Sequence, residues 1–110
     1  MAKLERTLYG SFDEILEKIE NGILGGSVSA SLEDGSDFYS DTARCSVRVF
    51  ERYSFMGGNR VSLSVTLFKP SGSDPIWLSA ITAGGSQAMF HKFNTFGEKA
   101  FLEKLEELLD

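Results

Sequence analysis

Four of the chain's five arginines, Arg44, Arg48, Arg52 and Arg60, share one parity of a stretch, Ala43 to Phe68, that alternates apolar and polar residues. A guanidinium presents a rigid fork of donors that matches phosphate and carboxylate oxygens. Phe50 and Phe68 lie on the arginine parity and offer rings for stacking. On one side of a sheet these residues would make a basic face. That face could meet an acidic protein, an anionic ligand or, as a homodimer, a second copy. The competing reading is a solvated face, with arginines weakly paired to nearby carboxylates.

A second group sits on the opposite parity. Glu51 and Tyr53 follow Val49, and Met89 and His91 lie further along the chain. A carboxylate, a phenol and an imidazole at a cavity mouth suit ligand binding or acid–base work. An isolated buried carboxylate is costly, so the competing reading leaves Glu51 in water at a strand end. Cys45 with His91 would be a nucleophile pair. Mid-strand between Ala43 and Val47, however, Cys45 reads as a small hydrophobe. Ala83-Gly84-Gly85-Ser86 lacks the spacing of a phosphate loop and reads as a turn. Glu33, Asp34, Asp37 and Asp41 lack the spacing of a calcium loop. One His and one Cys are too few for a zinc site, so no metal and no cofactor is expected.

These groups need elements to carry them. Ala43 to Phe68 reads as a hairpin closed by Met56-Gly57-Gly58, with Phe55 against Asn59. The odd-numbered residues Ala43, Cys45, Val47, Val49, Val61, Leu63, Val65 and Leu67 would then face a core. Lys3 to Gly10 reads as a first strand. Ser11-Phe12-Asp13-Glu14 is a capping box. Phe12, Ile15, Leu16, Ile19 and Ile23 recur behind it at helical spacing. Asn21-Gly22 is the expected helix end.

Val28, Ala30 and Leu32 alternate with serines as a further strand, and Asp34-Gly35 signals a turn or bulge. Ser36 to Asp41 either prolongs that strand or forms a loop. Pro70 to Pro75 is a loop, and Ile76 to Ala83 a strand apolar on both parities. Gln87 to Phe93 is a candidate last strand. Thr95-Phe96-Gly97-Glu98 is a second capping box, ahead of a helix carrying Phe101, Leu102, Leu105, Leu108 and Leu109.

The order is strand, helix, four or five strands, helix. It predicts a single α+β domain over residues 1–110. A curved antiparallel sheet of five to six strands would carry two helices on one face, an order similar to TATA-binding-protein-like and helix-grip folds. A net charge of −5 disfavours nucleic acid and anionic membranes as partners. No apolar run is long enough to span a membrane. A single cysteine and an N-terminus without a signal-peptide core suit the cytoplasm.

Four stretches together resemble a known family. They are Ser29 to Ser36, Val47 to Tyr53, Gly57 to Leu63, and Ala80 to Phe90. The chain is similar along nearly its whole length to DUF6054, a family of small bacterial proteins of unknown function. That resemblance implies a single-domain bacterial protein and brings no reaction, ligand or catalytic residue. The expected function is a non-enzymatic interaction module that uses its open sheet face. The alternative is a small-ligand carrier or enzyme with a pocket between sheet and C-terminal helix.

Overall fold

A computed structural model describes residues 1–26, 29–54, 59–84 and 91–110. The elements are β1 (Ala2–Leu8), α1 (Phe12–Gly25), β2 (Ser31–Ser40), β3 (Ala43–Ser54), β4 (Asn59–Lys69), β5 (Ile76–Gly84) and α2 (His91–Leu109). All neighbouring strands are antiparallel, in the order β1-β5-β4-β3-β2. The first and second strands in the chain are thus the two edges of the sheet. Four strand spacings separate them, about 19 Å. The 14 residues of α1 span about 21 Å, enough to carry the chain across.

Both helices cover one face. Phe12, Leu16, Ile19 and Ile23 of α1 join Phe101 and Leu105 of α2 over Phe50, Val61, Leu63, Val65, Leu67, Ile76, Leu78 and Ala80. This is the two-layer α+β architecture that the element order predicts. Where the helices cross, Leu108 lies against Gly22, and a Cβ on Gly22 would fall 2.3 Å from a Leu108 methyl carbon. Gly22 is therefore inside α1, which runs on to Gly25 and is capped by Gly26. The expected stop at Asn21-Gly22 is corrected: this glycine permits close helix–helix approach. The capping box at the other end forms, with Ser11 Oγ accepting from the Glu14 N–H at 3.3 Å.

Two further expectations change. The stretch after Asp34 prolongs β2 past a register shift between Leu32 and Asp34; β2 begins at Ser31, and Val28 of the expected strand lies outside the described residues. Helix α2 begins at His91, so Thr95 lies within it. His91 to Phe93 are helical, and the rest of the candidate last strand falls outside the described residues.

The largest correction is the register of the β3–β4 hairpin. Val49 pairs with Ser64 and Arg48 with Val65. The sequence reading set Val49 against Val65 and Arg48 against Thr66. Ser54 pairs with Asn59, so residues 55–58 separate the paired ends where a three-residue turn was expected. On β4 the odd residues face the helices as expected. A shift of one residue turns every side chain of β3 over. Phe50, Ser46, Arg44, Arg48 and Arg52 face the helices, and Cys45, Val47 and Val49 face away.

The cause lies in what covers β3. Asp13 and Glu20 of α1 stand above it and supply anions for the guanidiniums. Phe12 and Phe101 supply ring faces for them. Arginine stems bury well while their heads find partners.

Candidate functional site

Three of the four stripe arginines are structural. The Arg44 guanidinium lies 4.1 Å from the centre of the Phe12 ring and 5.0 Å from that of Tyr39, and it donates to Asp13 at 2.7 Å. Burial pulls its pKa down, but the Asp13 bond and charge raise it above the ordinary arginine value. Arg48 donates to both Asp37 carboxylate oxygens, at 3.1 and 3.2 Å, and sits 3.5 Å from Glu20. The Ser46 hydroxyl also donates to Asp37. That bond, with Arg48, holds the Asp37 carboxyl below the usual carboxylate range against the opposing pull of burial.

Arg52 lies 4.6 Å above the Phe101 ring, half-buried. Among the described residues no carboxylate pairs with it, and burial lowers its pKa. Arg6, on β1, also reaches the helix side, where it donates to Glu106 of α2 and to Asp110 just beyond it.

The expected basic face thus lies beneath the helices, and Phe50 is in the core. Arg60 alone of the four is on the open face. It pairs with Glu51 at 3.1 Å and lies 5.5 Å from the Tyr53 ring. Glu51 and Tyr53 are therefore on the open face too, not lining a pocket under α2. His91 opens α2, and Met89 lies outside the described residues. Cys45 faces outward in mid-strand. The acids near Asp34 are occupied locally: Asp34 Oδ1 accepts from the Gly35 N–H at 2.7 Å. Among the described residues no group of three or more His, Cys, Asp or Glu could hold a metal.

The open face is ordered in rows across the strands. Thr7, Trp77, Phe68, Cys45 and Phe38 lie side by side on β1, β5, β4, β3 and β2. The next row is Glu5, Ser79, Thr66, Val47 and Ser36, and the third is Lys3, Ile81, Ser64, Val49 and Asp34. The first row is aromatic and wet: Phe38 is 63% exposed and Trp77 53%. Phe68 and Trp77 meet edge to face with centroids 6.2 Å apart. At the β2–β3 end of this row Phe38, Cys45 and Phe68, with Tyr39, Ser40, Ala43 and Arg44, line an open hollow of about 140 Å³. The charges on this face are few: Lys3 pairs with Glu5 at 3.7 Å, Arg60 with Glu51, and Asp34 accepts from the Gly35 N–H.

Sequence reasoning placed only Phe68 of this row on the open face and missed the row itself. A further signal was β5, where Trp77 and Ile81 alternate with Ile76, Leu78 and Ala80, making both parities apolar. That pattern suggests a strand covered on both sides, yet α2 covers only one.

The family model of DUF6054, a family of unknown function, matches residues 1–110. The chain belongs to DUF6054. No curated protein and no solved structure matches this DUF6054 chain.

Proposed function

We propose that this DUF6054 protein is a non-enzymatic interaction module whose working surface is the open face of its sheet. The observation that carries the reading is the row Trp77, Phe68, Cys45, Phe38, with its three rings exposed and Cys45 half-buried between them, on the face that neither helix covers. Contiguous apolar patches of a few hundred Å² on a soluble chain mark surfaces that meet something. The chemistry of the face favours an apolar partner surface. An acidic partner loses its support, because Arg44 and Arg48 are engaged by Asp13, Asp37 and Glu20, and Arg60 by Glu51.

Cys45, the only cysteine, reports on this face. In intact cells carrying the chain at its native level, Cys45 should react with a maleimide at least about tenfold more slowly than in dilute purified protein. Equal reactivity in both settings would refute the reading.

A second reading has its own observation. An open hollow of about 310 Å³ lies among Thr7, Leu8, Tyr9, Ile15, Lys18, Leu108 and Leu109, between the end of β1 and both helices. Its size suits a small ligand. Native mass spectrometry showing a co-purifying small molecule would favour a carrier, and a bare chain mass would count against it.

A further inference from the structure

We infer that the occupant of the open face is a second copy of this chain, stacked sheet on sheet about a two-fold axis that runs along β4 between the two sheets. The inference rests on the interaction-module reading and names its partner.

Self-complementarity is what selects this occupant. Such an axis keeps each row over itself and exchanges strands on either side of β4. Strand β5 of one copy then lies over β3 of the other, and β1 over β2. In the first row, Trp77 comes over Cys45 of the second copy, which with Phe38 and Phe68 lines the hollow. The hollow is open and its exposed lining is almost wholly apolar, so it offers a ring a dry surface to lie against. The small Thr7 comes over the large Phe38, and Phe68 meets Phe68. In the third row, Ile81 comes over Val49 and Lys3 over Asp34, apolar on apolar and cation on anion. An axis across the strands would instead set the aromatic row against the Glu51–Arg60 pair and Tyr53 at the other end.

Charge and size agree. The open face carries Lys3 and Arg60 against Glu5, Asp34 and Glu51, a net of −1 out of the chain's −5, so two copies approach through surfaces that are close to neutral. Ser62, Ser64 and Thr66 line the middle of the axis and are small enough to let the sheets close to about 10 Å, while Arg60, at the far end of β4, meets its own copy with its charge countered by Glu51 at 3.1 Å. Five strands about 4.8 Å apart over about eight residues give a flat area near 600 Å². Protruding rings add to it, approaching the roughly 800 Å² per partner of a standard interface. Phe38, Phe68 and Trp77 would leave water together, with the indole as the anchor against that surface.

Sedimentation velocity on the full chain from about 1 to about 500 μM, with emission from the single tryptophan read alongside, tests the proposal. The account expects a monomer–dimer equilibrium and a blue shift of Trp77 emission as dimer forms. Trp77→Ala should weaken association by about 30-fold or more, while Leu24→Ser on α1 leaves it unchanged. Ser64→Asp and Ser64→Lys should each be monomeric, because each sets like charges across the axis, and mixing the two should restore a dimer. A wild-type chain that stays monomeric to about 500 μM overturns the proposal, as does a dimer indifferent to Trp77→Ala or a mixture that stays monomeric. Binding to neutral lipid vesicles by a chain that stays monomeric would overturn it in favour of a membrane. If Cys45 is protected in cells while the purified chain stays monomeric, the interaction-module reading stands and only the second copy falls.

Discussion

Arg48 shows how far a side chain's role depends on the face it is on. With its side chain only 13% exposed and Asp37 and Glu20 as partners, it ties β2, β3 and α1 together. Arg48→Ser should cost about 2 kcal/mol, because it strands two partly buried carboxylates. Arg52→Met should cost less than about 1 kcal/mol: it forfeits a cation–π contact but spares the desolvation of a guanidinium with no described carboxylate partner. Urea unfolding of both variants checks the order. Asp37 gives the pH dependence. Its folded pKa lies below its ordinary 3.8, so the native state binds fewer protons than the unfolded chain. The stability it contributes is present above about pH 4 and is lost as pH falls through the folded value. Asp37→Asn should therefore narrow the gap between urea midpoints measured at pH 6 and at pH 3.

At the scale of elements, what was legible was local. Ser11 and Glu14 mark the start of α1 because the capping contact spans three residues. The alternation of β4 and the stripe of α1 likewise sit within single segments. Gly22 misled because glycine has two uses, a left-handed cap and a close approach, and the second depends on a residue 86 positions away, Leu108. Gly22→Ala tests this. Alanine favours a helix interior by up to about 1 kcal/mol. A Cβ set against Leu108, however, forces repacking at about 1–3 kcal/mol. The variant should be less stable, by about 1 kcal/mol in urea unfolding, despite its better helix propensity. The β3–β4 register was illegible for a related reason. It hangs on the number of residues in one turn, and the parity of β3 is settled by carboxylates and rings on helices far away in sequence. Valines on one parity and arginines on the other fix an alternation without saying which side is dry.

At the scale of the whole molecule, the α+β class, an antiparallel sheet with two helices, was readable because it follows from segment types and lengths. The polarity of the two faces was not. A helix layer with acidic residues accepts arginines beneath it, and the apolar parity of β3 is left outside beside Phe68 and Trp77. The candidate site moved with it, from a cationic stripe to an aromatic row. The interaction-module reading and the inferred pairing of copies both follow from this inversion. Nuclear Overhauser contacts in the dilute monomer test it most directly. The account predicts contacts from the Arg44 side chain to the Phe12 ring and from Arg52 to the Phe101 ring, and none from the Val47 and Val49 methyls to either helix. Contacts from those valine methyls to Phe12, Ile19 or Phe101, with both arginines free of the rings, would contradict it.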